Sequence, residues 1–358
     1  MFTWFSSGAF LGWSLGANDA SNIFGTAVAS RMVKFRTAAI ITSVMVILGG
    51  VIIGPIGVER IGKLGSIDAL PGAFTAAMAA ALTVMWMTKH HLPVSTTQAI
   101  VGSAMAWSFF AGRDMAWDKL VPIVVAWFIS PVLCAIMSIL LYYLIRFMIK
   151  RTKIKMLMLD AYIRFGLIVV GAYGAWALGG NNMGNVVGVF YHSGIFKQIV
   201  LLGFTISEAQ QLCFLGALAI STGVITYSYG VMMTVGSELV KLDSMSAFIA
   251  IASEAVILDI FGHMGIPVSS SQAVVGSVLG LGLILGTPIK VKVLGKIVVG
   301  WIATPIVAAF ICILGLYVVK NVFEQEVVEI YGKVQIENHL CRKLSPDVLD
   351  TTVSGGNR

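Results

Sequence analysis

The sequence predicts an all-α polytopic membrane protein: two inverted-topology repeats of about five hydrophobic segments each, with broken or re-entrant helices at two Ser/Thr motifs. Three observations carry that prediction. Of 358 residues, 58% are hydrophobic and 11% charged, with a mean hydropathy of +0.90. Ten apolar runs have the length of membrane spans. The polar motifs that interrupt them occur twice, in the same order.

An ordinary soluble domain carries about 25% charged residues, so this chain lacks half the usual solvating groups. That excludes a disordered chain, a disulfide scaffold and a soluble enzyme on one membrane tether. The net charge of +7 does not point to nucleic acid, because the basic residues sit in short connectors between apolar runs. A nucleic-acid footprint would be a basic stripe interleaved with aromatics, and no nucleic-acid partner is expected. Cys134, Cys213 and Cys312 lie in apolar runs and Cys341 in the tail, a spacing that suggests neither a disulfide framework nor a metal site. Without a basic leader and cleavage site, residue 1 onward is read as mature protein.

A spanning helix needs about 20 mostly apolar residues, because each residue rises only 1.5 Å through a core about 30 Å thick. The runs that qualify are 2–30, 37–57, 70–88, 92–112, 120–145, 161–190, 209–230, 245–262, 266–287 and 297–319. If each crosses once, connectors on one side hold fourteen Lys and Arg, including the cluster from Arg146 to Arg164, and those on the other hold five. The positive-inside rule then puts the basic connectors in the cytoplasm and both termini outside, in a multi-pass protein of the cell membrane. The expected organisation is a first repeat over 1–150, a basic cytoplasmic connector over 151–163 and a second repeat over 164–320. A polar tail over 321–358 is read as a short helix followed by disorder.

The repeat is visible in the residues. Trp13–Gly25 (WSLGANDASNIFG) aligns with Trp176–Gly188 (WALGGNNMGNVVG), with six of thirteen positions identical. Pro93–Ser103 (PVSTTQAIVGS) aligns with Pro267–Ser277 (PVSSSQAVVGS), and Trp127 and Pro131 align with Trp301 and Pro305. Five segments per copy is an odd number, so the second copy would enter the membrane upside down, as in many secondary transporters.

Each copy carries two polar interruptions. The first holds Asn18, Asp19 and Asn22, matched by Asn181, Asn182 and Asn185. Its glycines are expected to let the helix unwind, so that freed carbonyls and Asn/Asp oxygens form a hard-oxygen site suited to Na⁺. The alternative, that Gly and Asn serve close helix packing, is weighed down by Asp19, since an intramembrane carboxylate is costly and usually functional. The second interruption is Ser95, Thr96, Thr97 and Gln98, matched by Ser269, Ser270, Ser271 and Gln272. Proline is expected to stop the incoming helix, leaving the hydroxyls at the start of the next one. Orphan N–H groups and the dipole make such a start an anion site. Two facing starts could wrap a tetrahedral oxyanion, whereas ordinary N-caps would need one Ser each. Glu254 and Asp259 interrupt the eighth run without counterparts in the first copy, and Glu254 is a candidate coupling-ion ligand or proton carrier. His90, His91 and His263 precede the Ser/Thr motifs and are read as connector residues.

With these motifs in both halves, the chain resembles the inorganic phosphate transporter (PiT) family of permeases, over nearly its whole length to about residue 320. The resemblance implies import of inorganic phosphate by symport with Na⁺ or H⁺, and alternating access about a central site. It places cation and substrate at Asn18, Asp19, Asn22, Asn181, Asn182 and Asn185. Ser95, Thr96, Thr97, Ser269, Ser270 and Ser271 would hold the anion, with Gln98 and Gln272 beside them. The chain departs from the family where Asn182 replaces a repeated Asp, and where Gln98 and Gln272 replace His. A sulfate or other oxyanion permease of the same fold is the alternative. A membrane-embedded hydrolase is disfavoured, because no nucleophile elbow or His-Glu-x-x-His signature is present. No enzyme activity and no cofactor beyond the coupling ion are expected. The expected partners are inorganic phosphate, the coupling cation, the lipid bilayer and, where it assembles, a second copy as a homodimer.

Overall fold

The computed structural model describes every residue except 1, 90–93, 153–155, 194–195, 202–203, 239–242, 288–290 and 329–358. Pro93, His90, His91, Cys341 and the tail beyond 328 therefore lie outside the described residues. In chain order the elements are α1 (Phe2–Ala29), α2 (Phe35–Ile52), α3 (Gly54–Gly65), α4 (Leu70–Lys89), α5 (Thr96–Phe110) and α6 (Trp117–Thr152). After these come α7 (Met156–Val187), β1 (Ile199–Leu201), β2 (Phe204–Ile206), α8 (Glu208–Glu238), α9 (Ser244–His263), α10 (Ser270–Leu285) and α11 (Val291–Asn321). The two strands form a small antiparallel hairpin, with Ile199 opposite Ile206. Among the described residues, all else that is regular is helical. The protein is a multi-pass, nearly all-α membrane protein.

Seven helices among the described residues are long and apolar enough to cross a bilayer: α2, α4, α6, α7, α8, α9 and α11. This differs from the ten runs counted in the sequence for identifiable reasons. The helices α5 and α10 have 15 and 16 residues, short of a full span. α1 has the length, at 28 residues, but not the apolarity. The run 37–57 divides at Ile53, because Pro55 lacks the N–H that a continuing helix would use. α3 then turns its apolar residues Val58, Ile61 and Leu64 inward and leaves Glu59 and Lys63 paired on the surface at 3.7 Å.

The Ser/Thr motifs do fall at broken helices, each at the tip of a helical hairpin. Arg113, just past α5, pairs with Asp68, just before α4, and donates to the carbonyl of Ser66 at 2.9 Å. Trp107 near the end of α5 packs on Gly72 near the start of α4. α4 and α5 thus run out and back to one base. In the second hairpin, Ile249 and Ala250 of α9 meet Val278 and Leu281 of α10 toward the base, while Ile257, Leu258 and Phe261 meet Val268 and Ala273 toward the tip.

Two local expectations are corrected. Helix α9 is stopped by Gly265, not by Pro267. Gly265 adopts φ +66°, and the Ile266 N–H bonds back to the Phe261 carbonyl at 3.0 Å, the glycine-capped ending that satisfies the last carbonyls. The Asn-rich motifs do not unwind their helices: α1 runs unbroken through Asn18–Asn22 and α7 through Asn181–Asn185. Their glycines serve close approach instead. A Cβ on Gly16 would strike the Ile220 carbonyl, and one on Gly223 would strike that of Trp13. The second copy repeats the contact, Gly179 against Val46 and Gly49 against Trp176. Small residues let two backbones meet where lipid offers no hydrophobic drive.

Exchange between halves also builds the rest. Gly102 of α5 lies under the Pro305 carbonyl of α11, and Gly276 of α10 under the Pro131 carbonyl of α6. The matching helices α1 and α7 run antiparallel, with Gly8 against Val186 and Phe24 against Gly171. Outward faces are apolar: Phe128 on α6 and Phe310 on α11 are 73% and 63% exposed, a surface suited to lipid. Past α11, the described residues 322–328 form no helix, and the rest of the tail expected to hold a short one lies outside the described residues. Residues 322–328 fold back so that the Val327 carbonyl accepts the Trp107 indole N–H at 2.9 Å.

Candidate functional site

Both hairpin tips converge on α1. The side chain of Asp19 is 1% exposed, and its Oδ2 accepts the hydroxyl of Thr96 at 3.1 Å and that of Ser270 at 2.9 Å. Oδ1 accepts from Asn18 Nδ2 at 3.2 Å. One carboxylate therefore joins the first residue of α5 to the first residue of α10. Asn22 is buried one turn further along α1.

The helix α7 is bolted to the same two tips. The Asn181 amide pairs with both backbone groups of Val268, donating to its carbonyl at 2.8 Å and accepting its N–H at 3.0 Å. Thr97 also donates to the Val268 carbonyl, at 3.2 Å, and accepts from Asn185 Nδ2 at 2.8 Å. Asn185 donates in turn to Asn182 Oδ1 at 2.8 Å, and Asn182 to the Leu178 carbonyl at 3.1 Å. The three- and four-residue spacings that put these amides on one helix face are what make the chain continuous.

Within the hydroxyl runs the roles divide. Ser95 and Ser269 are N-caps, accepting the N–H of Gln98 and Gln272 at 3.3 Å each. Thr96 and Ser270 reach Asp19, Thr97 reaches hairpin two, and Ser271 lies 3.0 Å from Ser269, hydroxyl to hydroxyl. The carbonyl oxygens Gln98 Oε1, Gln272 Oε1 and Asn185 Oδ1 are buried without a hydrogen-bond donor among the described residues. A donor-rich helix start beside unpaired acceptor oxygens can take an anion and a cation together.

Of the residues singled out in the sequence, the structure thus brings together Asn18, Asp19, Asn181, Asn182, Asn185 and the two Ser/Thr/Gln runs. Glu254 is buried on α9 with neither oxygen hydrogen-bonded, so no hydrogen bond joins it to that cluster. Asp259 is taken by Tyr173, whose hydroxyl donates at 2.9 Å, and the backbone carbonyl of Asp259 contacts His263 Nδ1 at 2.9 Å. His263 ends α9, in keeping with a connector position.

Residues 15–312 match the profile of the phosphate transporter family. The chain belongs to that family. A provisionally named phosphate permease of Methanocaldococcus jannaschii is 30% identical, over 84% of this chain and 92% of the relative. One of Pyrococcus furiosus is 26% identical, over 83% of this chain and 90% of the relative. Among solved structures, "The sodium-dependent phosphate transporter" superposes with a TM-score of 0.75 at 24% identity, over 88% of this chain and 98% of that one. This family member therefore shares its fold with that protein.

Two parts of the site escaped the sequence. Val268 contributes only backbone atoms, and no side-chain motif announces a carbonyl that accepts from Asn181 and Thr97 at once. The Arg113–Asp68 clamp at the base of the first hairpin joins residues on either side of two helices. Its one signal was a pair of opposite charges bracketing the runs 70–88 and 92–112.

Proposed function

We propose that this phosphate-family protein imports inorganic phosphate by cation symport, with alternating access about the site where the two hairpin tips meet. The observation that carries the proposal is Asp19 Oδ2 accepting hydroxyls from both tips, Thr96 and Ser270. Phosphate brought to those helix starts would approach a buried carboxylate, and like charges repel strongly in a low dielectric. A cation at Asp19 removes the repulsion, so the anion and the cation bind together or weakly. The oxygens of Asn18, Asp19, Asn22, Asn181, Asn182 and Asn185 suit a hard monovalent cation. The N-termini of α5 and α10, with Thr96, Thr97, Ser270, Ser271, Gln98 and Gln272, suit the oxyanion. Sodium is the favoured ion, on the printed name of the solved structure that shares the fold.

The antiparallel course of α1 and α7 supports two copies inserted with opposite orientation, and hairpins entering from opposite faces. Rocking the halves would open the shared tip site to one face at a time. The basic connectors favour the cell membrane with both termini outside.

Labelled phosphate uptake into proteoliposomes, with sodium and pH gradients imposed separately, tests the proposal. Concentrative uptake under a sodium gradient is expected. Sulfate accumulating instead, or uptake that never exceeds electrochemical equilibrium, would replace it with a sulfate permease or a passive channel.

A further inference from the structure

Helix α6 is charged only near its two ends. Between Lys119 and Arg146 it carries no Asp, Glu, Lys or Arg. At 1.5 Å each, residues 120–145 rise about 39 Å, close to the roughly 40–45 Å of a bilayer with its headgroups. Lys119 therefore marks one headgroup layer and Arg146 the other. Past that point α6 adds Lys150 and Arg151, and the next acid in the chain is Asp160, which Arg164 holds at 3.6 Å.

Arg146, Lys150 and Arg151 are exposed, and none of them joins an ion pair among the described residues. Two of them rest on rings one turn earlier. The Arg146 guanidinium lies 5.9 Å from the centre of the Tyr142 ring and donates to its hydroxyl at 3.4 Å. The Arg151 guanidinium lies 5.7 Å from the centre of the Phe147 ring. Such contacts hold a cation in place without neutralising it.

The three cations share an arc of about 140° on α6 with Leu140, Tyr143 and Phe147. Those three apolar side chains are 56–59% exposed. Helical side chains lean toward the helix N-terminus, so the rings reach back toward the membrane. The face is cationic at headgroup depth and apolar just below it. A soluble anion would use only its cations, and a neutral lipid only its apolar part.

We propose that this face binds an anionic phospholipid, its headgroup phosphate on Arg146, Lys150 and Arg151 and its chains along Leu140, Tyr143 and Phe147. The place gives the lipid leverage on the second hairpin. Tyr142, under Arg146, packs with Leu141 and Ile145 against Ile249, Val278 and Leu281 at the hairpin base. A headgroup that fixes Arg146 fixes Tyr142, and so stiffens the base from which that hairpin reaches the site.

The test titrates phosphatidylglycerol or phosphatidylcholine into the full-length protein in detergent and counts bound lipids by native mass spectrometry. Each Lys or Arg near an anionic surface strengthens attraction about fivefold, so the first phosphatidylglycerol should bind about 100-fold tighter than phosphatidylcholine. The triple variant Arg146→Gln, Lys150→Gln, Arg151→Gln should bind both lipids alike. Should it not fold, each single variant should lose about fivefold. Lys292→Gln with Lys296→Gln, which removes two exposed cations from the start of α11, should keep the preference.

A wild type with no preference overturns the proposal, and so does a preference that the α11 variant loses as fully as the α6 variant. Displacement of the lipid by inorganic phosphate at equal concentration would make the face a plain anion site and overturns it too. Amide exchange reads the leverage: phosphatidylglycerol should slow exchange over 244–250 and 278–285 in the wild type and not in the triple variant. Binding that leaves both stretches unchanged overturns the stiffening of the hairpin base.

Discussion

Thr96 and Ser270, which occupy equivalent positions in the two copies, donate their hydroxyls to the same oxygen of Asp19, at 3.1 and 2.9 Å. The shared acceptor has no duplicate: where the first copy has Asp19, the second has Asn182, which bonds instead to its own helix at Leu178. The two matching motifs therefore meet at a centre with a single carboxylate, and Asp19 is where substitution should have the largest effect.

Asp19→Asn should reduce concentrative phosphate uptake in proteoliposomes to the level of protein-free vesicles. The protein should still insert and purify, because removing an intramembrane charge makes insertion easier. Sodium-driven accumulation that persists in this variant would take Asp19 out of the coupling mechanism.

Ser269→Ala and Ser270→Ala should separate cap from site. Ser269 holds the Gln272 N–H, so its loss should cost about 1 kcal/mol of stability, read as a lower melting temperature in detergent. Ser270 donates to a carboxylate, and losing a hydrogen bond to a charged group, worth about 1.5–3 kcal/mol, should weaken phosphate uptake about 10- to 100-fold. Equal melting temperatures for both variants and the wild type would contradict the division.

Asn181→Ala removes, among the described residues, the side-chain partner of the Val268 N–H and leaves its carbonyl with Thr97. A buried unsatisfied backbone group costs about 1–3 kcal/mol, so the variant should melt earlier than Asn182→Ala, which gives up two bonds within its own helix and leaves Asn185 its bond to Thr97. Urea or thermal unfolding of the two side by side measures the difference.

Gly276→Ala drives a methyl into the Pro131 carbonyl, where backbone cannot yield, and should destabilise by about 1–3 kcal/mol. Gly295, inside α11, has open space around it. Gly295→Ala should therefore stabilise by about 0.5–1 kcal/mol through helix propensity. Matching shifts in melting temperature would show that the contact between halves carries no weight.

Much of the fold was legible because it is written in local chemistry. Low charge and long apolar runs follow from lipid as the solvent, and the duplicated WSLGAND and PVSTTQ patterns survive as residue identities. The polar residues of the site were legible for the same reason, since nothing but function or pairing keeps Asn, Asp and Ser at such depth. The behaviour of the glycines was not. In sequence, Gly16 and Gly179 read equally as unwinding points or as contact points. Only the carbonyls of Ile220 and Val46, brought from distant helices, make them contacts.

The sequence by itself determined the class, the duplication and the inventory of polar groups, because hydropathy and repetition are properties of neighbours along the chain. Tertiary structure decided how that inventory is spent. It made Ser95 and Ser269 caps, sent Thr96 and Ser270 to Asp19, paired Asn181 with the backbone of Val268 and left Glu254 with no donor. A hydrogen bond is settled by distance and direction between groups far apart in sequence, and in a buried site each donor committed to one acceptor is denied to the rest. That competition has no trace in the order of the residues.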